Sequence, residues 1–209
     1  MNLIFLTNLT KSKIDKGCLN VIEKVISIDK LDEAEIIVNE KTYKELSDFI
    51  KNKKYQTKIS LITANKNATR NLVELVNDII VSNKIKDDLI IVSEYKLLSL
   101  DLNKVKRYFD AIKKPIIILY KSNNKNLVKK SGEYYLDEDG FVKSFRERIS
   151  TIKSGLVSAG AFIFPKDSLF WFGKFLKSGS DKLNFGNLIK KIAQKRKVRG
   201  IVENEIIEM

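Results

Sequence analysis

Histidine is absent from this chain, cysteine occurs once, at Cys18, and proline only twice. The first absence narrows the chemistry most. Without an imidazole there is no serine–histidine triad, no histidine acid–base pair and no ordinary zinc site, so carboxylates, lysines, arginines and a bound metal ion are left to carry any reaction. A single cysteine cannot close an internal disulfide and suits a reducing cytosol. No stretch comes near the roughly eighteen apolar residues that a membrane-spanning helix needs, and the opening "MNLIFLT" is too short for a secretory signal and has no basic residue before it. A soluble, cytoplasmic protein with no membrane partner is therefore expected.

What the chain does have is enough apolar material for a core: 44% of 209 residues are hydrophobic. That suits one globular domain over residues 1–209, and no low-complexity linker or internal repeat divides it. Lysine and arginine number 39 against 26 aspartates and glutamates, a formal charge of +13. The lysines are spread along nearly every amphipathic stretch, the pattern of a solvated surface. The densest basic run, "KKIAQKRKVR" (Lys190 to Arg199), reads as a solvated helix end, as a site for phosphate-bearing small molecules, or as a nucleic-acid contact. It contains no aromatic residue on which a base could stack, which argues against nucleic acid.

Apolar runs rich in β-branched residues alternate with amphipathic ones. Strands are expected at 2–6, 34–39, 58–63, 88–93 and 115–120, with helices at 18–28, 41–53, 68–83 and 102–112 between them, the third helix capped by Asn67 or Thr69. This alternation predicts an α/β fold, a three-layer sandwich with a mostly parallel central sheet and helices on both faces. Beyond residue 120 the pattern changes. "EYYLDEDGFVKSF" predicts a β-hairpin whose turn needs the positive φ of Gly140. "GLVSAGAFIFP" (155–165) predicts another strand, followed by the helix "KDSLFWFGKFLKSG" with Pro165 near its start, the helix "LNFGNLIKKIAQKRK", and a last strand near "RGIVEN".

Open parallel sheets bind ligands beyond the carboxyl ends of their strands. The segments to watch are the loop from Thr7 to Lys16, the residues after Thr63, the triplet Ser93-Glu94-Tyr95, and the chain just past the hairpin. Glu94, a carboxylate at a strand end, is a candidate ligand for Mg²⁺, which takes one or two carboxylates together with phosphate oxygens.

In their order, "IIVNEKTYKELSDFIKNK", "KIKDDLIIVSEYKLLSLDL", "YYLDEDGFVKSFRER" and "GLVSAGAFIFPKDSL" resemble the nucleotidyltransferase family that makes nucleotide sugars from a sugar-1-phosphate and a nucleoside triphosphate. The resemblance runs along nearly the whole chain, and it implies a Rossmann-like, nucleotide-diphospho-sugar transferase-like fold with the hairpin as an insertion. It also implies phosphoryl transfer, in which the sugar phosphate attacks the α-phosphate and pyrophosphate leaves, a reaction that needs positioning and positive charge.

The resemblance implies working parts that the sequence keeps unevenly. The family's glycine-rich phosphate loop is here "TNLTKSKIDKG", which has no glycine before Gly17; Lys11, Lys13 and Lys16 can bring charge to a triphosphate, but a backbone cradle is not expected. The family's metal-holding Gly-Asp is Ser93-Glu94, and Glu208 aligns with the second metal carboxylate, so Mg²⁺ would be held by two glutamates. The glycine pair that seats the base has no counterpart in "NATRNLVELVNDII". The sugar-phosphate side survives best: "SFRER" matches the family's Glu-Lys, with Glu147 accepting sugar hydroxyls and Arg148 contacting phosphate. Ser158 stands where many members carry an asparagine that contacts the sugar, and Gly132 joins the same substrate-binding group. A surface ion-pair cluster is the plain alternative for these residues.

Two functional readings follow. One is a diverged nucleotidyltransferase acting on a nucleoside triphosphate and a sugar-1-phosphate. The other is a catalytically inactive relative that binds sugar phosphate or acts as a regulatory subunit, as a homo-oligomer or beside a partner subunit that supplies the phosphate loop.

Overall fold

The computed structural model describes residues 1–7, 13–64, 71–93, 101–147, 149–179 and 182–202. The first part of the chain alternates strand and helix: β1 (Asn2–Leu6), α1 (Lys16–Ile26), β2 (Glu33–Val38), α2 (Glu40–Lys51), β3 (Lys58–Thr63), α3 (Leu72–Ser82), β4 (Leu89–Val92), α4 (Leu102–Ile112) and β5 (Ile116–Lys121). A short helix follows, α5 (Lys125–Ser131), then the hairpin of β6 (Glu133–Leu136) and β7 (Val142–Arg146), and β8 (Leu156–Phe164). Then come α6 (Phe170–Leu176), α7 (Phe185–Ala193) and β9 (Arg199–Val202).

The main sheet runs in the order β3-β2-β1-β4-β8-β5-β9. β1 pairs in parallel with β2 and β4, β2 with β3, and β5 with β9. β8 enters between β4 and β5 and runs antiparallel to both. Strands such as "NLIFL" and "LIIV" are buried at every position because helices cover both faces. One face packs Val21, Ile22 and Val25 of α1, Leu46 of α2, and Val105 and Phe109 of α4. The other packs Val73 and Val76 of α3, Phe172 and Phe175 of α6, Leu188 and Ile189 of α7, and Tyr134, Val142 and Phe145 of the hairpin. The three layers predicted from the strand–helix alternation are present.

Helix starts are set by short polar side chains that take up an otherwise unpaired backbone N–H. Asp15, Asn39, Asn71, Asp101, Asn124 and Asn184 each accept such a bond at the head of a helix. The cap of α3 is thus Asn71; Asn67 and Thr69, named from the sequence, lie outside the described residues. "KDSLFWFGKFLKSG" is not one helix: Lys166–Ser168 form a 3-10 turn before α6 begins. α5 has no counterpart in the hydrophobic pattern, because its sequence "KNLVKKS" buries only Val128.

Gly140 has φ +76°, as the turn requires, and its N–H donates to Asp137 O at 3.0 Å. The hairpin tip is then stitched to the last strand: Val142 N donates to Val198 O (2.8 Å) and Gly200 N to Gly140 O (3.0 Å). At the other end, Tyr134 pairs with Leu156 at the start of β8.

Candidate functional site

At the carboxyl ends of the parallel strands the chain leaves the sheet at Thr7, Asn39 and Ser93. Thr7 and Asn39 are buried and already committed. Thr7 donates to Ile37 O from both its amide (3.1 Å) and its hydroxyl (2.7 Å). Asn39 Oδ1 accepts from Thr42 N at 3.0 Å and from Thr42 Oγ1 at 3.1 Å. Ahead of α1, Ile14 N donates to Glu45 Oε2 (3.2 Å) and Cys18 N to Asp15 Oδ1 (2.8 Å). The head of α1, the end of the loop that corresponds to a phosphate cradle, therefore carries the chain's own carboxylate. Lys13 and Lys16 are exposed beside it.

β8 is irregular where it passes the end of β4. The β5–β8 register slips between Ile117 and Leu119, so that β8 bulges across Ala159 and Gly160. Ser93 N and Ser93 Oγ both donate to Gly160 O, at 2.7 and 3.2 Å, and Gly160 N donates to Ser158 Oγ at 3.0 Å. The Ser158 hydroxyl braces the bulge with its oxygen, leaving its proton to donate elsewhere.

Glu147 follows directly on β7. Its Oε2 accepts from Lys182 Nζ at 3.1 Å and its Oε1 from Asn184 Nδ2 at 2.6 Å. Asn184 also caps α7 through Asn187 N at 2.9 Å, and Asn187 Nδ2 donates to Lys182 O at 3.3 Å. The carboxylate thus sits near the positive end of α7. Burial raises the Glu147 pKa, but the bonds from Lys182 and Asn184 outweigh it and hold the carboxyl below its ordinary range. Beneath it Tyr134 is fully buried; burial, and then the charge of Glu147, push its hydroxyl pKa far upward.

Glu133, one strand away, has no exposed surface. Its Oε2 accepts from Lys153 N (3.1 Å), Ser154 N (3.0 Å), Ser154 Oγ (3.1 Å) and Gly155 N (3.0 Å), and its Oε1 accepts from the Tyr135 hydroxyl. Burial alone would raise this carboxyl; the hydrogen bonds from Tyr135, Gly155, Lys153 and Ser154 lower it to about 2.

Of the residues singled out from the sequence, Glu147, Ser158 and Gly132 lie around the base of the hairpin and the start of β8, while Lys13 lies across the sheet at the head of α1. Gly132 ends α5 at φ +77°, and a Cβ there would stand 2.5 Å from the ring of Phe145. Its backbone explains the glycine without reference to a substrate. Lys11, Glu94, Arg148 and Glu208 lie outside the described residues. Sequence reasoning missed Glu133, Lys182 and Asn184. The only local signals were a charged residue opening an otherwise apolar strand and an asparagine three residues before Asn187.

The basic run gains aromatic neighbours only in three dimensions. Lys197 Nζ lies 4.5 Å and Arg199 5.9 Å from the centre of the Phe141 ring, and Arg196 lies 6.0 Å from that of Phe170. Arg196 also pairs with Asp167 at 2.8 Å. Only its first residues, up to Ala193, belong to α7. The run ties the carboxyl-terminal segment to the hairpin tip and to α6.

No family model matches the chain, and no curated protein matches it in sequence. Solved structures do match. A UDP-glucose pyrophosphorylase complexed with UDP-glucose superposes with a TM-score of 0.72 at 10% identity, covering 96% of this chain and 89% of that one. The fold is that of the sugar nucleotidyltransferases. A putative glucose-1-phosphate thymidylyltransferase from Bacillus anthracis, in complex with a sucrose, gives 0.70 at 10% identity over 96% of this chain and 85% of that one. A CMP:2-keto-3-deoxy-manno-octonic acid synthetase complexed with CTP gives 0.63 at 10% identity over 96% and 89%. The sugar nucleotidyltransferase fold thus arises here from a sequence that shares about one residue in ten with these structures.

Among the described residues no group of three or more carboxylate or cysteine side chains is placed to hold a metal ion. Glu133 and Glu147 are already compensated by amides, hydroxyl groups and Lys182. Glu94 and Glu208, the metal ligands expected from the sequence, lie outside the described residues. No helix among the described residues is long and apolar enough to cross a membrane.

Proposed function

We propose that the chain is a divergent nucleotidyltransferase-like protein that binds a sugar-1-phosphate at the base of the hairpin and has lost the backbone cradle for a nucleotide. The observation that carries this reading is the cluster of Glu147, Lys182 and Asn184 at the head of α7. It offers an ionised carboxylate as acceptor for sugar hydroxyls and a lysine for a phosphate oxygen, in a half-buried place at the head of α7. On the nucleotide side, Asp15 occupies the head of α1, where a phosphate would meet its charge. Arg148, next to Glu147 in sequence, is the proposed second phosphate contact.

A sugar-1-phosphate panel, including glucose-1-phosphate and mannose-1-phosphate, tests the reading by thermal shift. A rise in melting temperature that Glu147→Ala abolishes is the expected result; no rise with any sugar phosphate overturns it. A second reading, retained catalysis with Mg²⁺ on Glu94 and Glu208 and with Lys11 and Lys13 on the triphosphate, is favoured by the UDP-glucose and CTP bound in solved neighbours of this fold. Pyrophosphate release from a nucleoside triphosphate, Mg²⁺ and a sugar phosphate would select it.

A further inference from the structure

Three groups of side chains around the hairpin base have to keep their spacing for one ligand to touch them all: Glu147 after β7, Lys182 and Asn184 before α7, and Ser158 on β8. β7 and α7 are packed on each other, so the first two move together. Within the sheet the hairpin is joined to β8 through one register pair, Tyr134 with Leu156. Glu133 supplies the rest. Three successive amides, those of Lys153, Ser154 and Gly155, turn inward on its Oε2 and form a nest of the kind that holds an anion. The nest is filled by the chain's own carboxylate. Across from it, Ser122 N donates to Gly155 O at 2.9 Å, so the entry into β8 is fixed from both sides.

We infer that Glu133 is a positioning residue: its carboxylate sets the distance between the hairpin that carries Glu147 and the strand that carries Ser158, and so shapes the proposed sugar-phosphate site without touching the ligand. The inference rests on the reading of the Glu147 cluster as that site. Nothing in the burial pattern requires a charge here, since an apolar residue at the start of β6 would also be buried. What an apolar residue cannot do is satisfy three converging amides and a serine hydroxyl at once. A support of this sort matters because a misplacement of about 1 Å in a binding group is enough to cost much of its effect.

Glu133→Gln keeps the shape and an acceptor oxygen, and Tyr135→Phe removes the bond to Oε1 together with the hydroxyl's bond to Arg146, so both variants are suited to a folded-state comparison. Two measurements decide the matter: sugar-1-phosphate affinity well below the melting temperature, and amide hydrogen exchange over residues 153–157. For Glu133→Gln we expect affinity to fall tenfold or more, exchange of these amides to rise at least tenfold, and exchange in β1 and β4 to stay as in the wild type. Tyr135→Phe should shift both quantities in the same direction by less. In a Ser158→Ala background the affinity loss from Glu133→Gln should shrink, because one of the two spaced groups is gone; a purely structural effect would be the same in both backgrounds. Unchanged affinity in Glu133→Gln, or unchanged exchange at 153–157, overturns the inference. A wild-type protein that binds no sugar phosphate overturns the proposed function instead, and the exchange measurement then still decides whether Glu133 holds the entry to β8.

Discussion

The ring of Phe145 fills the space in front of Gly186, so that a methyl group on that glycine would overlap the Cζ and Cε1 atoms of the ring. The same ring also stands against Gly132, through Cε2 and Cζ. It is the spacer between the end of α5, the hairpin and α7, and the last two carry the Glu147 cluster.

Gly186→Ala is therefore expected to destabilise the protein by about 1–3 kcal/mol, the usual cost of overpacking a buried site. Helix propensity alone favours alanine by up to about 1 kcal/mol, so the sign of the change reports the clash. Urea midpoints check it. Phe145→Leu in the same chain should recover part of the loss, and a Gly186→Ala protein as stable as the wild type would mean that the ring has room to move.

Acid should weaken the fold through Glu133. Its carboxyl lies at about 2 in the folded chain against an ordinary 4.5, so its contribution is fully present above about pH 4.5 and is lost as pH falls towards 2. Glu133→Gln should lower stability at pH 7 by about 1.5–3 kcal/mol, the usual range for a bond to a charged group, and should flatten the decline between pH 5 and pH 2. Glu147 and Asp110, whose pKa values are also depressed, keep part of that slope in the variant. Denaturant titrations across the pH range give both quantities.

Lys84 follows α3 with φ +52°, a left-handed conformation that costs a side chain about 1 kcal/mol and costs glycine almost nothing. It is exposed and its amide closes the end of the helix on Val81 O at 3.3 Å. Lys84→Gly should stabilise the chain by about 0.5–1 kcal/mol, read as a rise in melting temperature of a few degrees.

Asn39→Ala removes the acceptor for two groups of Thr42 in a buried setting. A loss of about 1–2 kcal/mol is expected, at the upper end for a helix cap. Asn39→Asp should recover most of it, since aspartate offers the same oxygen to the amide.

The regular part of the fold was legible because its signals are local. β1, β3 and α4 begin and end where the apolar runs do, and the positive φ of Gly140 could be read from "DEDG". α5 was not legible, because a helix with one buried side chain has no period to detect. The same limit hid much of the candidate site. Glu147 was singled out from a short motif, but the groups that hold it, Lys182 and Asn184, are 35 and 37 residues further along the chain. Glu133 finds its partners 20 to 22 residues away, as backbone amides that no side-chain pattern announces. Contacts between Phe141 and Lys197 or Arg199 belong to the same class: the basic run had no aromatic neighbour in sequence and acquires one from the hairpin tip.

Because β8 is inserted between β4 and β5, the sheet cannot be completed in the order in which the chain is made. When a ribosome has delivered β5, its two lateral partners, β8 and β9, are still unsynthesised, and β4 has only β1 beside it. A nascent or prematurely terminated chain that stops after the hairpin would present one open edge of β4 and both edges of β5, a template for pairing with other chains and for capture by chaperones.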